Sequence, residues 1–146
     1  MSKALVLITK SNLSDIVTII LPFLKTRYVY DQQKESLYVE TFANEEFTNY
    51  ISIHLMKEMQ FIAEDYIDRD DVPIEFQEDL LNLNPNFFLV NYNDLESCNI
   101  FFKNFLSSTT ENLRNIWFDN DYADIISGET VLRKLQSSIK WDWLST

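Results

Sequence analysis

The chain is expected to fold as one mixed α/β (α+β) domain built on a single sheet, and three observations lead there. It has 146 residues, the length of one domain. Two separate segments, Ala4 to Leu24 and Phe87 to Leu106, each pass from a short apolar run into a stripe of apolar residues at helical spacing. Between them, residues 26–42 alternate apolar and polar with many aromatics, the pattern of paired strands.

Taken in order, Ala4 to Thr9 reads as a strand and Leu13 to Leu24 as a helix with Ile16, Val17, Ile20, Phe23 and Leu24 inward; Pro22 fits its last turn. Thr26 to Asp31 and Glu35 to Phe42 read as a hairpin joined by Gln32-Gln33-Lys34. From Glu45 the stripe Phe47, Ile51, Leu55, Met59, Ile62, Tyr66 advances by three and four. That outweighs the brief alternation of Ile51, Ile53 and Leu55, so residues 45–67 are expected to be helical. A short helix to Leu81 follows, with Asp71 as its cap and Pro73 in its first turn. Residues 45–82 thus form an acidic helical insertion.

Phe87 to Tyr92 is a second apolar strand. Asn93 is placed to cap the next helix, with Glu96 reaching back as in a capping box. Inside that helix Leu95, Cys98 or Asn99, Phe102, Phe105 and Leu106 recur at three and four, and Ile100 and Phe101 broaden the stripe. Leu113 to Asp119 supplies another strand, and strand-helix-strand implies a right-handed parallel crossover. Ser127 caps a final helix through Val131, Leu132 and Leu135, and the Trp141 and Trp143 rings are expected to latch the tail onto a sheet edge or to offer an exposed anchor. The two strand-helix units superpose with a shift of 82: Leu7 falls on Leu89, Ile8 on Val90, Leu13 on Leu95, Ile20 on Phe102. That is structural pseudo-repetition of two strand-helix-strand units.

Charge is the most informative quantity. The chain carries 12 basic and 23 acidic side chains, a net of -11. Eleven of the acidic residues lie between Glu45 and Asp79, against only Lys57 and Arg69. Outside that segment the chain is close to neutral. Phosphate contacts need a basic face, so direct binding to nucleic acid is disfavoured, and so is an anionic membrane surface. The longest apolar stretch, Ile16 to Leu24, is far below the roughly 18 residues of a membrane span. Ala4 to Ile8 is too short for a signal segment. The lone Cys98 excludes an intramolecular disulfide, and the expected location is the cytoplasm.

The same composition removes many chemistries. One glycine cannot supply a P-loop or a dinucleotide fingerprint, nor the glycines that flank a nucleophile elbow. One cysteine and one histidine cannot build a structural zinc site, and no cofactor is expected. His54, expected mid-helix, reads as a packing or surface residue. What remains for an enzyme is the turn holding Asp119, Asp121 and Asp124, hard oxygen donors for Mg²⁺ or Ca²⁺ or an acid/base pair. The alternative is a solvated turn bonded to its own backbone amides. A binding module is the favoured class, because charge gathered on one insertion accelerates encounter with a basic partner, although such a run also serves simply as a solvated face.

A small, acidic, cysteine-poor α/β chain with Asn115-Ile116-Trp117-Phe118-Asp119-Asn120-Asp121 and a Trp141-Asp142-Trp143 tail resembles the bacterial immunity proteins that accompany polymorphic or contact-dependent toxins. The resemblance implies an inhibitor whose acidic helices dock on the basic substrate surface of a toxin, often a nuclease, mimicking its phosphate ligand. In that role Glu64, Asp65, Asp68, Asp70, Asp71, Glu75 and Asp79 would steer the partner and pair with its Lys and Arg. Tyr66 or Phe76 would supply the desolvated anchor. A nucleic-acid mimic aimed at a host or phage enzyme implies the same charge pattern.

Overall fold

The computed structural model describes residues 3–67, 69, 71–120 and 124–145. Its strands are β1 (Lys3–Thr9), β2 (Tyr28–Asp31), β3 (Ser36–Ala43), β4 (Thr48–Leu55), β5 (Asn86–Tyr92), β6 (Trp117–Asp119) and β7 (Ile125–Ser127). They form one sheet in the order β2-β3-β4-β5-β1-β6-β7, antiparallel at every ladder. The helices are α1 (Leu13–Ile20), α2 (Met59–Ile67), α3 (Ile74–Leu83), α4 (Leu95–Ser108) and α5 (Gly128–Ser137). The mixed α+β architecture expected from the sequence is therefore present.

Strand alternation divides the sheet into two faces. One face aligns Leu5 and Leu7 of β1 with Val90 and Phe88 of β5, Ile53 and Ile51 of β4, Leu37 and Val39 of β3, and Phe118 of β6. On it pack Ile16 and Ile20 of α1, Phe102 and Phe105 of α4 and Val131 and Leu135 of α5, the larger of the two cores. The opposite face presents Ile8, Phe87 and Trp117 to Tyr66 of α2 and to Phe76 and Leu80 of α3. Among the described residues the acidic helices thus sit alone on their side of the sheet.

Two expectations are corrected by this topology. Residues 48–55 are strand β4, not helix, so the insertion is helical only from Met59 and the alternation of Ile51, Ile53 and Leu55 wins over the three-four stripe. The reason is tertiary: Ile51 and Ile53 find partners on both sides, in β3 and β5, and both are completely buried. His54 accordingly lies on β4, opposite Leu89 and Ser36, and not mid-helix. The second correction concerns the crossover. β5 and β6 do run in the same direction, but β1 lies between them and bonds to both, so α4 spans an intervening strand and no parallel ladder forms.

The pseudo-repetition survives with a changed register. The helices match at a shift of 82, buried Ile16 and Ile20 falling on buried Cys98 and Phe102. The strands match at 83, with Leu5 and Leu7 on Phe88 and Val90, because β1–α1 has one more linking residue than β5–α4. At 82 Leu7 would fall on Leu89, which faces the other side. A one-residue slip exchanges the faces of a strand while leaving it apolar throughout, which is why apolar matching alone cannot detect it.

Capping chemistry sets most helix starts. Asn12 and Asp15 form a reciprocal capping box on α1, and the Ser127 hydroxyl accepts from Thr130 N on α5 as expected. On α4 the cap is Asp94, whose carboxylate accepts from Ser97 N; Asn93 instead accepts from Tyr50 N and donates to Thr48 O, tying β4 to the end of β5. At α3 Pro73 occupies the cap position, and Asp71 turns away to Arg69. The helix ends on Asn84 in the left-handed region, a conformation Asn tolerates, just before Pro85. The sole glycine, Gly128, opens α5 where a Cβ would lie 3.0 Å from Leu113 O and 3.1 Å from Ile116 Cβ. Close backbone approach, with Gly128 N donating to Ile116 O at 2.6 Å, explains its use.

The tail does latch, between α4 and β6, one strand in from the sheet edge. Trp143 is buried against Phe102 and Phe118, and its indole Nε1 donates to Asn99 Oδ1 at 2.7 Å. Asn99 Nδ2 in turn donates to Ile139 O and Trp141 O, and Asn120 Nδ2 donates to Trp143 O.

Candidate functional site

The helical pair α2–α3 is amphipathic in a way that separates structural from presented residues. Around α3 the 3.6-residue period puts Phe76 and Leu80 on the sheet side and Ile74, Glu78 and Leu81 on the opposite side. Phe76 is completely buried and stacks edge-on with both Tyr66 and Trp117. Tyr66 is buried as well, flat against Phe87, and its hydroxyl donates to Asp119 Oδ2 at 2.5 Å. These two aromatics build the second core. They are not surface anchors, which corrects the expectation for both.

The acidic residues divide in the same manner. Glu64, Asp65 and Glu75 are exposed on the outer surface. Asp71 is exposed but already occupied: Arg69 Nε and Nη2 each reach one of its oxygens at 3.0 Å, and those hydrogen bonds pull the Asp71 carboxyl below its usual range. The same guanidinium lies 5.5 Å from the Tyr66 ring centre. Asp79 points inward, accepting from Trp117 Nε1 at 2.8 Å and from Asn115 Nδ2, so it ties α3 to the β6 end of the sheet. Asp68 and Asp70 lie outside the described residues.

Sequence reasoning missed the apolar part of this surface. Ile74 is 62% exposed and Leu81 70%, both on α3 and seven residues apart, with Glu78 between them and Ile67 of α2 also exposed. The signal was legible on the helical wheel, since Ile74 and Leu81 fall on the side away from Phe76 and Leu80. Only aromatic size drew attention to the wrong pair.

The carboxylate turn is placed differently. Asp119 is buried at the end of β6 and engaged by Tyr66, whereas Asp124 is exposed, with its backbone N donating to Asn120 Oδ1 at 3.3 Å. Asp121 lies outside the described residues. Among the described residues no group of three His, Cys, Asp or Glu side chains is arranged to hold a metal ion. No described helix is long and apolar enough to cross a membrane. Cys98 is completely buried in α4, where burial pushes its thiol well up, so it serves as a core hydrophobe. Comparison with protein-family models, with curated proteins and with solved structures finds no match for this chain.

Proposed function

We propose that the chain is a protein-binding inhibitor of the bacterial immunity type, and that the outer face of α2–α3 docks on a basic surface of a cognate toxin domain, a nuclease by the charge it presents. The observation that carries this reading is the pairing of exposed Ile74 and Leu81 with exposed Glu64, Asp65, Glu75 and Glu78 on one helical pair. Carboxylates accelerate encounter and select a basic partner, while the apolar side chains supply desolvated contact once the surfaces meet. A surface evolved only for solubility gains nothing from two large aliphatics held in water.

Inhibition follows from occupation. A toxin that cleaves nucleic acid binds phosphates through Lys and Arg, and a ridge of carboxylates competes for those groups without offering a scissile bond. The ridge rests on Tyr66, Phe76 and the Asp79–Trp117 hydrogen bond beneath it.

The test uses two sets of variants in a capture from lysate of the native host, followed by association kinetics with whatever basic protein is retained. Glu64→Lys with Asp65→Lys and Glu75→Lys is expected to slow association about tenfold or more and to flatten its salt dependence. Ile74→Ser with Leu81→Ser is expected to leave the association rate nearly unchanged and to speed dissociation. An unchanged association rate after triple charge reversal would sink the proposal and return the helices to the role of a solvated face.

A further inference from the structure

Strand β2 is an open edge of the sheet: it bonds to β3 on one side, and among the described residues no strand lies beyond it on the other. The phase of its backbone follows from one hydrogen bond. Glu40 N donates to Arg27 O at 2.9 Å, in line with the β2–β3 register, so Arg27, Val29 and Asp31 direct their backbone groups to β3. Tyr28 and Tyr30 then point theirs outward. Such a row of N–H and C=O groups is a template for another strand, and here exposed Tyr28 and Val29 accompany it.

The segment Arg27 to Asp31 is complementary to itself when reversed. Outward groups must meet outward groups, which restricts antiparallel pairing with a second copy to registers two residues apart. One of these sets Tyr28 opposite Tyr30 of the second copy, Val29 opposite Val29, and Arg27 opposite Asp31. A shift of two in either direction puts Arg27 or Asp31 opposite Val29 instead. Opposite charges and apolar groups matched across a ladder are its favourable pairs, and Arg27 would meet Asp31 at the positions where facing side chains come closest. Within its own chain Arg27 reaches Glu40 at 3.5 Å, and Asp31 Oδ1 accepts from Lys34 N. A guanidinium fork and a two-oxygen carboxylate can each serve a second contact. The chain as a whole carries -11, but residues 25–40 balance Lys25, Arg27 and Lys34 against Asp31, Glu35 and Glu40, so two copies approach here with the least repulsion.

We propose that the chain pairs with a second copy of itself through β2, antiparallel and with the two-fold axis at Val29, joining two sheets into one. Tyr28 and Tyr30 exchange backbone hydrogen bonds across the axis, and Arg27 of each copy meets Asp31 of the other. The acidic helices pack over Ile8, Phe87 and Trp117 on β1, β5 and β6, away from β2. Their outer face stays open in the dimer, so this inference stands or falls independently of the inhibitor reading.

One short strand pair is a small contact and makes a transient dimer, so the experiment is sedimentation equilibrium of the full chain from micromolar to millimolar concentration. A monomer–dimer equilibrium is expected. As the dimer fills, the Tyr28 and Tyr30 amides should gain protection from hydrogen exchange, while those of Val29 and Asp31, bonded to β3 in either state, should not change. Arg27→Asp alone and Asp31→Arg alone each set like charges face to face and should weaken the dimer about tenfold or more. An equimolar mixture of the two variants restores opposite charges at both positions and should associate as the native chain does, which a variant that merely misfolds would not do. A chain that stays monomeric at millimolar concentration overturns the proposal. So does a dimer indifferent to Arg27→Asp, or a mixture that fails to associate.

Discussion

Asn99 shows how much one buried amide can hold. Its oxygen accepts from the Trp143 indole and its NH₂ donates to two carbonyls of the tail, so both kinds of amide capacity are used inside the core. Asn99→Ala leaves an indole N–H and two carbonyls without that partner. A loss of about 3 kcal/mol is expected by urea denaturation, together with a red shift of Trp143 fluorescence, whereas an unchanged midpoint would mean the tail is held by packing alone. Titration acts on neighbouring residues. Burial pushes the Cys98 thiol well up and raises the Tyr92 phenol, Cys98 and Asp142 adding to the latter. Unfolded, these groups ionise near about 8.5 and 10. Above that range the unfolded chain sheds protons that the native state keeps, so stability is fully present below about pH 8.5 and falls as pH rises. Urea midpoints between pH 7 and 11 should decline in the native sequence and decline less in Cys98→Ala with Tyr92→Phe; equal slopes would refute the assignment.

Elements with their own local signals were legible: the β2–β3 hairpin and β5 with α4 stand where the pattern placed them, and Ser127 caps α5 as expected, although the cap of α4 is Asp94 and not Asn93. β4 was not, because its residues satisfy a helical stripe and a strand alternation at once, and only the presence of β3 and β5 on either side decides between them. The same limit applied to the sheet's direction, since nothing in β5–α4–β6 announces that a strand from the far end of the chain will lie between. The outer face of α2–α3 was half legible. Its charge is a matter of composition, but whether a given carboxylate or aromatic faces water depends on helix phase, and Asp79, Tyr66 and Phe76 turned inward while Ile74 and Leu81 turned out.

Charge and topology together give the molecule two unlike sides. The helices α2 and α3 carry five carboxylates and no basic residue, whereas α4 and α5 on the other side carry Lys103, Arg133 and Lys134 against Glu96 and Glu129. On the reading proposed above, a basic partner would therefore be oriented before contact, which adds to the rate in a way no single residue does.

The interior place of β1 has a consequence in time. Its two neighbours are far along the chain: Thr9 pairs with Asn86, and Val6 with Asp119. On a ribosome the first strand emerges long before either neighbour exists, and the hairpin β2–β3 with β4 is the earliest part of the sheet able to assemble. A truncated chain ending at residue 82 should therefore show no cooperative melting, although it contains four of the seven strands, and a cooperative transition in that fragment would contradict it. On the inhibitor reading proposed above, a half-made chain would not engage its target, and protection would begin only once translation has passed β6.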